Sequence, residues 1–290
     1  MGNTYTASEV GSFAFSKLQA AVTGKVMGIT SKGVFLVFDK ATVFLTESPF
    51  HSPFNILLPE GTLTHLILEN NEETFFHDQA VIFTRTAHQI DLTQTKIWRP
   101  FPAPQITLDH TGQDARLQRL TGQLMTHNPE KGFLFLASNT GQDSSEQASI
   151  RKAAIGFSAA YRRNDMEGCL EAAHVLLGRG GGLTPSGDDW LAGFLLFEAR
   201  SHPSHSFLSH LAAELIFSAY RRTTYISANR LEAASIGASE EIFLTATDWL
   251  LNEAYQLPEL FAQWLMEFGH SSGVDTWVGI ASACASSLTK

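Results

Sequence analysis

Apolar positions come first in short blocks and only later in long periodic runs. Val34 to Phe38 is an unbroken stretch of apolar β-formers between Ser31-Lys32-Gly33 and Asp39-Lys40. Runs of this length bounded by turn residues predict strands, and Gly24 to Thr46 reads as several of them. The texture continues at Asn55 to Leu58, a Pro59-Glu60-Gly61 turn, Leu63 to Leu68, Ala80 to Thr84 and His88 to Leu92. No helix-period run interrupts it. Residues up to about Trp98 therefore read as an antiparallel β-domain, barrel- or sandwich-like.

Arg99 to Pro104, RPFPAP, carries prolines that continue neither a central strand nor a helix, which makes it the best domain boundary. Beyond it the period becomes helical. Asp114 to Met125 has Leu117, Leu120 and Leu124 on one face, and Ile150 to Tyr161 and Met166 to Leu177 follow. Phe133 to Ala137 fits either a strand or part of a helix. Further helices are predicted at Asp188 to Ala199, Ser206 to Tyr220, Ser227 to Ser235, Ser239 to Asn252, Pro258 to Phe268 and Gly273 to Ser286. The fold class is α+β: a β-rich domain over residues 1–104, ending in the proline-rich linker, and a mainly α-helical domain over 105–290.

With 290 residues, 44% of them hydrophobic and 17% charged, the chain is globular. A net charge of -9 argues against nucleic acid or an anionic membrane as the main partner. Two cysteines, Cys169 and Cys284, and an N-terminus without signal-peptide character fit a cytoplasmic protein with no disulfide framework. No run reads as a transmembrane helix.

The most informative stretch is Leu177 to Leu195, LGRGGGLTPSGDDWLAGFL. Gly178, Gly180, Gly181 and Gly182 permit positive φ and close approach of a ligand to the backbone. Pro185 suits a first helical turn, with Thr184 or Ser186 as N-cap. Unpaired N–H groups and the positive end of the helix dipole then favour an anion such as phosphate or carboxylate. The segment Ser186-Gly187-Asp188-Asp189-Trp190-Leu191-Ala192-Gly193 is echoed by Ser272-Gly273-Val274-Asp275-Thr276-Trp277-Val278-Gly279, both reading SGxDxxxG. Two such helix starts would converge on one site. The plainer alternative is a pair of S-x-x-D capping boxes, Ser186 with Asp189 and Ser272 with Asp275.

Asp188, Asp189 and Asp275 together would hold Mg²⁺, the one cofactor the residues suggest, or act as general bases; equally, each is stabilised at a first helical turn without any such duty. His270, before the second helix start, would move protons or donate to an anion, unless it is simply packed in a turn. Arg222, Thr224, Ser227 and Asn229 lie in YRRTTYISANR, where a guanidinium, hydroxyls and an amide would complete an anion pocket, or where Thr224 or Ser227 would cap the next helix. His202, His205 and His210 read as an exposed interhelical loop. Ser186 has no obvious base partner, and the glycine turn lacks the Lys-Ser/Thr ending of a P-loop.

Through LLGRGGGLTPSGDDWLAG, RRTTYISANRLEAASIGASEE and GHSSGVDTWVGI, in that order over most of residues 176 to 282, the chain resembles the AllH-type family, long described as a domain of unknown function. Gly181 stands where many members have proline, a small change because Gly180 and Gly182 flank it. The resemblance implies a subunit of an oxamate carbamoyltransferase, working with two other kinds of subunit in purine-derived allantoin catabolism and converting oxalurate and phosphate to oxamate and carbamoyl phosphate. A non-catalytic subunit that binds an anion and docks partner proteins is the alternative. In either case a small anionic metabolite and other subunits of a hetero-oligomer are the expected partners. The expected ligand contacts are Gly180, Gly181, Gly182, Thr184, Ser186, Gly187, Asp188, Arg222, Thr224, Ser227, Asn229, Ser271, Ser272 and Gly273, with Asp189, Asp275 and His270 acting on the chemistry.

Overall fold

A computed structural model describes residues 2–21, 23–138 and 143–288. The chain divides into two compact units, Met1–Phe101 and Pro102–Lys290.

The first unit holds β1 (Thr4–Thr6), β2 (Glu9–Gly11), α1 (Ser12–Ala20), β3 (Thr23–Thr30), β4 (Gly33–Phe38), β5 (Ala41–Thr46), β6 (Asn55–Leu57), the single turn α2 (Thr62–His65), β7 (Glu73–His77), β8 (Ala80–Phe83), β9 (Gln89–Asp91) and β10 (Lys96–Trp98). They form one sheet in the order β1-β9-β8-β7-β3-β4-β5-β6-β2-β10. β1 is at one edge while β2, only two residues further along the chain, lies next to the other edge. The sheet must therefore curl until its ends nearly meet. The crossing is made by Ala7, whose N–H donates to Asp91 O at 3.0 Å, and Ser8, whose N–H donates to Leu57 O at 2.9 Å. Val10, Val26, Leu36, Phe38, Leu45 and Ile90 fill the interior, joined by Ala14 and Leu18 from α1.

The meander expected from the sequence is present at β3, β4 and β5. Two expectations are corrected. Leu63 to Leu68 is a helical turn followed by irregular chain rather than a strand. The first unit also contains α1, whose weak two-residue buried face, Ala14 and Leu18, gave little periodic signal.

The second unit is helical: α3 (His110–His127), a 3-10 helix (Gly132–Ala137), α4 (Ser145–Arg162), α5 (Met166–Leu176), α6 (Ser186–Ser201), α7 (Ser206–Arg222), α8 (Tyr225–Ala234), α9 (Glu241–Leu251), α10 (Phe261–Glu267) and α11 (Ser272–Leu288). The ambiguous run at Phe133 to Ala137 is thus the 3-10 helix. Among the described residues no helix is long and apolar enough to cross a membrane.

Every residue of α6 is buried. A helix covered on all sides is a core element rather than an amphipathic surface one. Its polar side chains consequently need internal partners. Near its C-terminal end, Arg200 donates through Nε and Nη2 to the two carboxylate oxygens of Asp248 on α9, each at 2.7 Å, and through Nη1 to Gly237 O at 2.9 Å.

α6 and α11 run side by side in the same direction, with Thr184 facing Ser272 ahead of α6 and Ser201 near Ser287 at the far end. Glycines set their separation. A Cβ on Gly193 would collide with the Thr276 carbonyl oxygen, and one on Gly279 with the Trp190 carbonyl oxygen. Each helix thus presents a glycine to the other's backbone. Around the contact Trp190, Phe194 and Phe157 stack edge to face or tilted, with ring centres 5.0 to 5.6 Å apart.

These clashes are with main chain, so no rotamer change relieves them. Gly193→Ala and Gly279→Ala should each destabilise the protein by about 2–4 kcal/mol, read as a lower urea midpoint. Gly181→Ala, where a Cβ meets nothing within 4 Å, should leave the midpoint unchanged.

Candidate functional site

The two SGxDxxxG copies pack against each other through matching positions. Gly187 fits against the Leu176 carbonyl at the end of α5, and Gly273 fits in the same manner against the Leu265 carbonyl of α10. The serines and aspartates cross over. The Ser272 hydroxyl stands close enough to Asp189 to favour its ionised form, and the Ser186 hydroxyl does the same for Asp275. Ser186 Oγ and Ser271 Oγ lie 3.5 Å apart, and Thr184 Oγ1 and Ser272 Oγ 2.8 Å apart. The helix starts do converge, and they do so by gripping one another.

That arrangement corrects the capping expectations. α6 has Pro185 as its N-cap, with no side-chain cap, so neither Thr184 nor Ser186 serves and the Ser186–Asp189 capping box does not form. Three of the first four N–H groups of α6 are paired internally. Gly187 N donates to Arg179 O at 2.9 Å, while Asp188 N and Asp189 N donate to Pro185 O at 2.9 and 3.1 Å. At α11, Gly273 N donates to Phe268 O at 3.0 Å and Asp275 N to Ser271 O at 2.9 Å.

Each acid has its own work. Asp188 Oδ1 accepts from Gly178 N at 2.7 Å, and its Oδ2 accepts from the Thr223 hydroxyl, so it ties the glycine loop to the α7–α8 junction. Asp189 pairs with the Arg230 guanidinium of α8. Arg230 Nε also lies 3.2 Å from Glu240 Oε1, and its Nη2 donates to Thr276 Oγ1 at 3.3 Å. Asp275 Oδ1 accepts from Phe133 N at 2.6 Å, which docks the 3-10 helix on α11. Gly132 is needed there, since a Cβ at its positive φ of 53° would run into the Asp275 carboxylate.

Asp189 and Asp275 are 1% and 0% exposed, and Oδ2 of each lacks a hydrogen bond of ordinary geometry. Burial raises the pKa of all three acids. For Asp189 burial is the largest cause, Arg230 opposes it, the facing Asp275 adds to it, and the result is about 8. Burial works against the charge of Arg230, but Asp189 and Glu240 outweigh it and keep the guanidinium charged. No group of three or more His, Cys, Asp or Glu side chains among the described residues is arranged to hold a metal ion. The three-carboxylate Mg²⁺ site is therefore not assembled: Asp188, Asp189 and Asp275 each turn to a different partner.

Among the remaining expected residues, Thr224 is the N-cap of α8, its Oγ1 accepting from Ser227 N at 3.1 Å while donating to Leu183 O at 2.7 Å. Ser227 is buried, with its hydroxyl near Asp188. Asn229 is fully buried and donates to the Tyr220 hydroxyl at 2.7 Å, so it braces α7 against α8. Arg222 is exposed; its carbonyl lies against Gly178. His270 is exposed as well, with no hydrogen bond among the described residues.

Gly180, Gly181 and Gly182 are exposed and make no hydrogen bond with other described residues, and φ is 113° at Gly180 and 88° at Gly182. What lies at the surface is therefore the glycine loop, flanked by Arg179, Arg222 and, at the neighbouring helix start, His270. Sequence reasoning missed Arg230. The available signal was its place four residues after Ile226 and three before Ala233, on the apolar face of α8, where an arginine must be paired.

A pH dependence follows from Asp189. Its folded pKa of about 8 exceeds that of an unfolded aspartate, so the stability this group contributes is present in full below the unfolded pKa and is lost as pH rises through about 8. Urea unfolding of the wild type and Asp189→Asn should show the wild type losing on the order of 1 kcal/mol per pH unit relative to the variant between about pH 5 and 8, then levelling off.

No solved structure matches the chain. Residues 176–284, which run from the end of α5 into α11 and contain both SGxDxxxG copies, match the family model of the oxamate carbamoyltransferase subunit AllH, and over that segment this chain is AllH-like.

Proposed function

We propose that this chain is a subunit of a carbamoyltransferase that acts on oxalurate and phosphate in the degradation of purine-derived allantoin, and that it holds an anionic part of the reactants at the loop 178–185. The single observation that carries the reading is the state of Gly180 to Gly182, exposed and without hydrogen bonds to other described residues. Main-chain N–H groups of such a loop donate to phosphate or carboxylate oxygens without a side chain intervening. Arg179 and Arg222 add charge complementarity from either side.

In the reaction a phosphate oxygen attacks the ureido carbonyl carbon of oxalurate. The bond from that carbon to the oxamyl nitrogen breaks, the nitrogen takes up a proton, and carbamoyl phosphate and oxamate leave. Negative charge grows on the ureido oxygen, where fixed donors are most effective. On this reading Asp188, Asp189 and Asp275 are positioning residues that fix the loop from beneath, while His270 and Arg222 face the reacting groups. The second reading, a non-catalytic anion-binding subunit, draws on the burial of all three acids, which leaves no exposed carboxylate base in this chain's motif.

Calorimetry with phosphate, carbamoyl phosphate, oxamate and oxalurate tests the first step. At least one should bind saturably to the wild type and about tenfold or more weakly to Gly181→Val, a substitution into open space. No binding to the folded chain, alone or with its partner subunits, would overturn the reading. Turnover of oxalurate by the chain alone would favour catalysis within it; binding with turnover only after partners are added would favour a shared site or a binding subunit.

A further inference from the structure

Far from the glycine loop, a cavity of about 440 Å³ opens where the C-terminal ends of three helices meet. Tyr161 and Arg162 come from the last turn of α4, His202 is the C-cap of α6, and Ser286 and Ser287 come from the last turn of α11. Glu198, one turn before the end of α6, forms part of the wall and is only 4% exposed. Its polar contacts all fall on Oε2, which accepts from the Tyr161 hydroxyl at 3.1 Å and lies 3.3 Å from His202 Nδ1. Oε1 takes no hydrogen bond or ion pair among the described residues.

Glu198 is the one acid among the lining residues. The negative ends of the α4, α6 and α11 dipoles are directed here beside a buried carboxylate, although the turns that follow take up Ala160 O and Tyr161 O of α4 and Glu198 O of α6. The Tyr161 ring, packed edge to face on the His205 ring with centres 5.8 Å apart, supplies an electron-rich face. Arg162 is the one permanent cation of the lining, and it is exposed. The volume exceeds that of a bare ion, and no metal-binding set of His, Cys, Asp and Glu is formed among the described residues.

We propose that this cavity binds a small organic cation, one bearing a primary ammonium or guanidinium group that Glu198 Oε1 holds at the junction of the C-terminal ends of α4, α6 and α11. The proposal is independent of the function assigned to the glycine loop. The same feature that suits one end of α6 to anions suits this end to cations.

Titration calorimetry of the full chain at constant ionic strength, with n-butylammonium as the probe and n-butanol and butyrate as neutral and anionic controls, tests it. n-Butylammonium alone should bind saturably. Glu198→Gln, which keeps an acceptor for the Tyr161 hydroxyl, should weaken binding about tenfold or more. Ser287→Trp, which puts bulk into the cavity from the last turn of α11, should abolish binding with no loss of fold, and Gly181→Val should bind as the wild type does. No saturable binding by the folded wild type, equal binding of n-butanol, or undiminished binding by either folded cavity variant would overturn the proposal.

Discussion

The second unit depends on the close approach of α6 and α11. Two helices can bring backbone against backbone only where side chains are missing, and here each supplies one glycine at the contact, Gly193 and Gly279. The approach then draws the two helix starts together, so that Ser186 comes under Asp275 and Ser272 under Asp189. Serine, aspartate and the later glycine therefore serve this one contact, while the first glycine of each copy lets the preceding helix, α5 or α10, pack close. The motif occurs twice because each helix is the other's partner.

Drawing the starts together buries acids. Asp189 and Asp275 are held where water does not reach, each with an oxygen left without a hydrogen bond, and Arg230 is brought in from α8 to offset part of the cost. Removing one member of such a buried pair costs about 3–5 kcal/mol because the other is left uncompensated. The set is expensive, and its return is position: Asp188 fixes Gly178, Asp275 fixes Phe133, and Thr224 fixes Leu183. Both sides of the glycine loop are thereby anchored, while Gly180 to Gly182 stay outside the internal hydrogen-bond network. A ligand meeting that loop would find its main chain pre-arranged rather than having to order it.

Most of this was legible in the sequence wherever a local pattern set the outcome. The β-meander, the long helices and the repetition of SGxDxxxG follow from period and turn chemistry. What was not legible depended on the partner across the contact. A serine followed three residues later by an acid reads as a capping box, and at α4, where Ser144 and Gln147 form a true box with solvent around them, the rule holds in its Gln form. At α6 the same spacing is overruled, because Pro185 takes the cap and the serine turns to another helix. The three acids weighed as Mg²⁺ ligands illustrate the same point. Three acids close in sequence motif are distant in allegiance, each held by a donor that the one-dimensional pattern does not show. Likewise α1 escaped notice because its buried face is two residues wide.

The parallel course of α6 and α11 has an electrostatic consequence that antiparallel packing would cancel. Aligned dipoles place both N-terminal ends together and both C-terminal ends together, so one end of the pair carries positive and the other negative partial charge. The buried side chains answer this polarity: Asp188, Asp189 and Asp275 lie in the first turns of the two helices, and Arg200 lies in the last turn of α6. The 16 residues of α6 span about 24 Å, some three times the ~8 Å over which salt screens exposed charges in physiological buffer. Occupancy of one end thus has little direct electrostatic effect on the other. Any coupling between the ends would have to pass through the rigid crossing at Gly193 and Gly279, whose main-chain contacts leave no slack for one helix to slide along its neighbour.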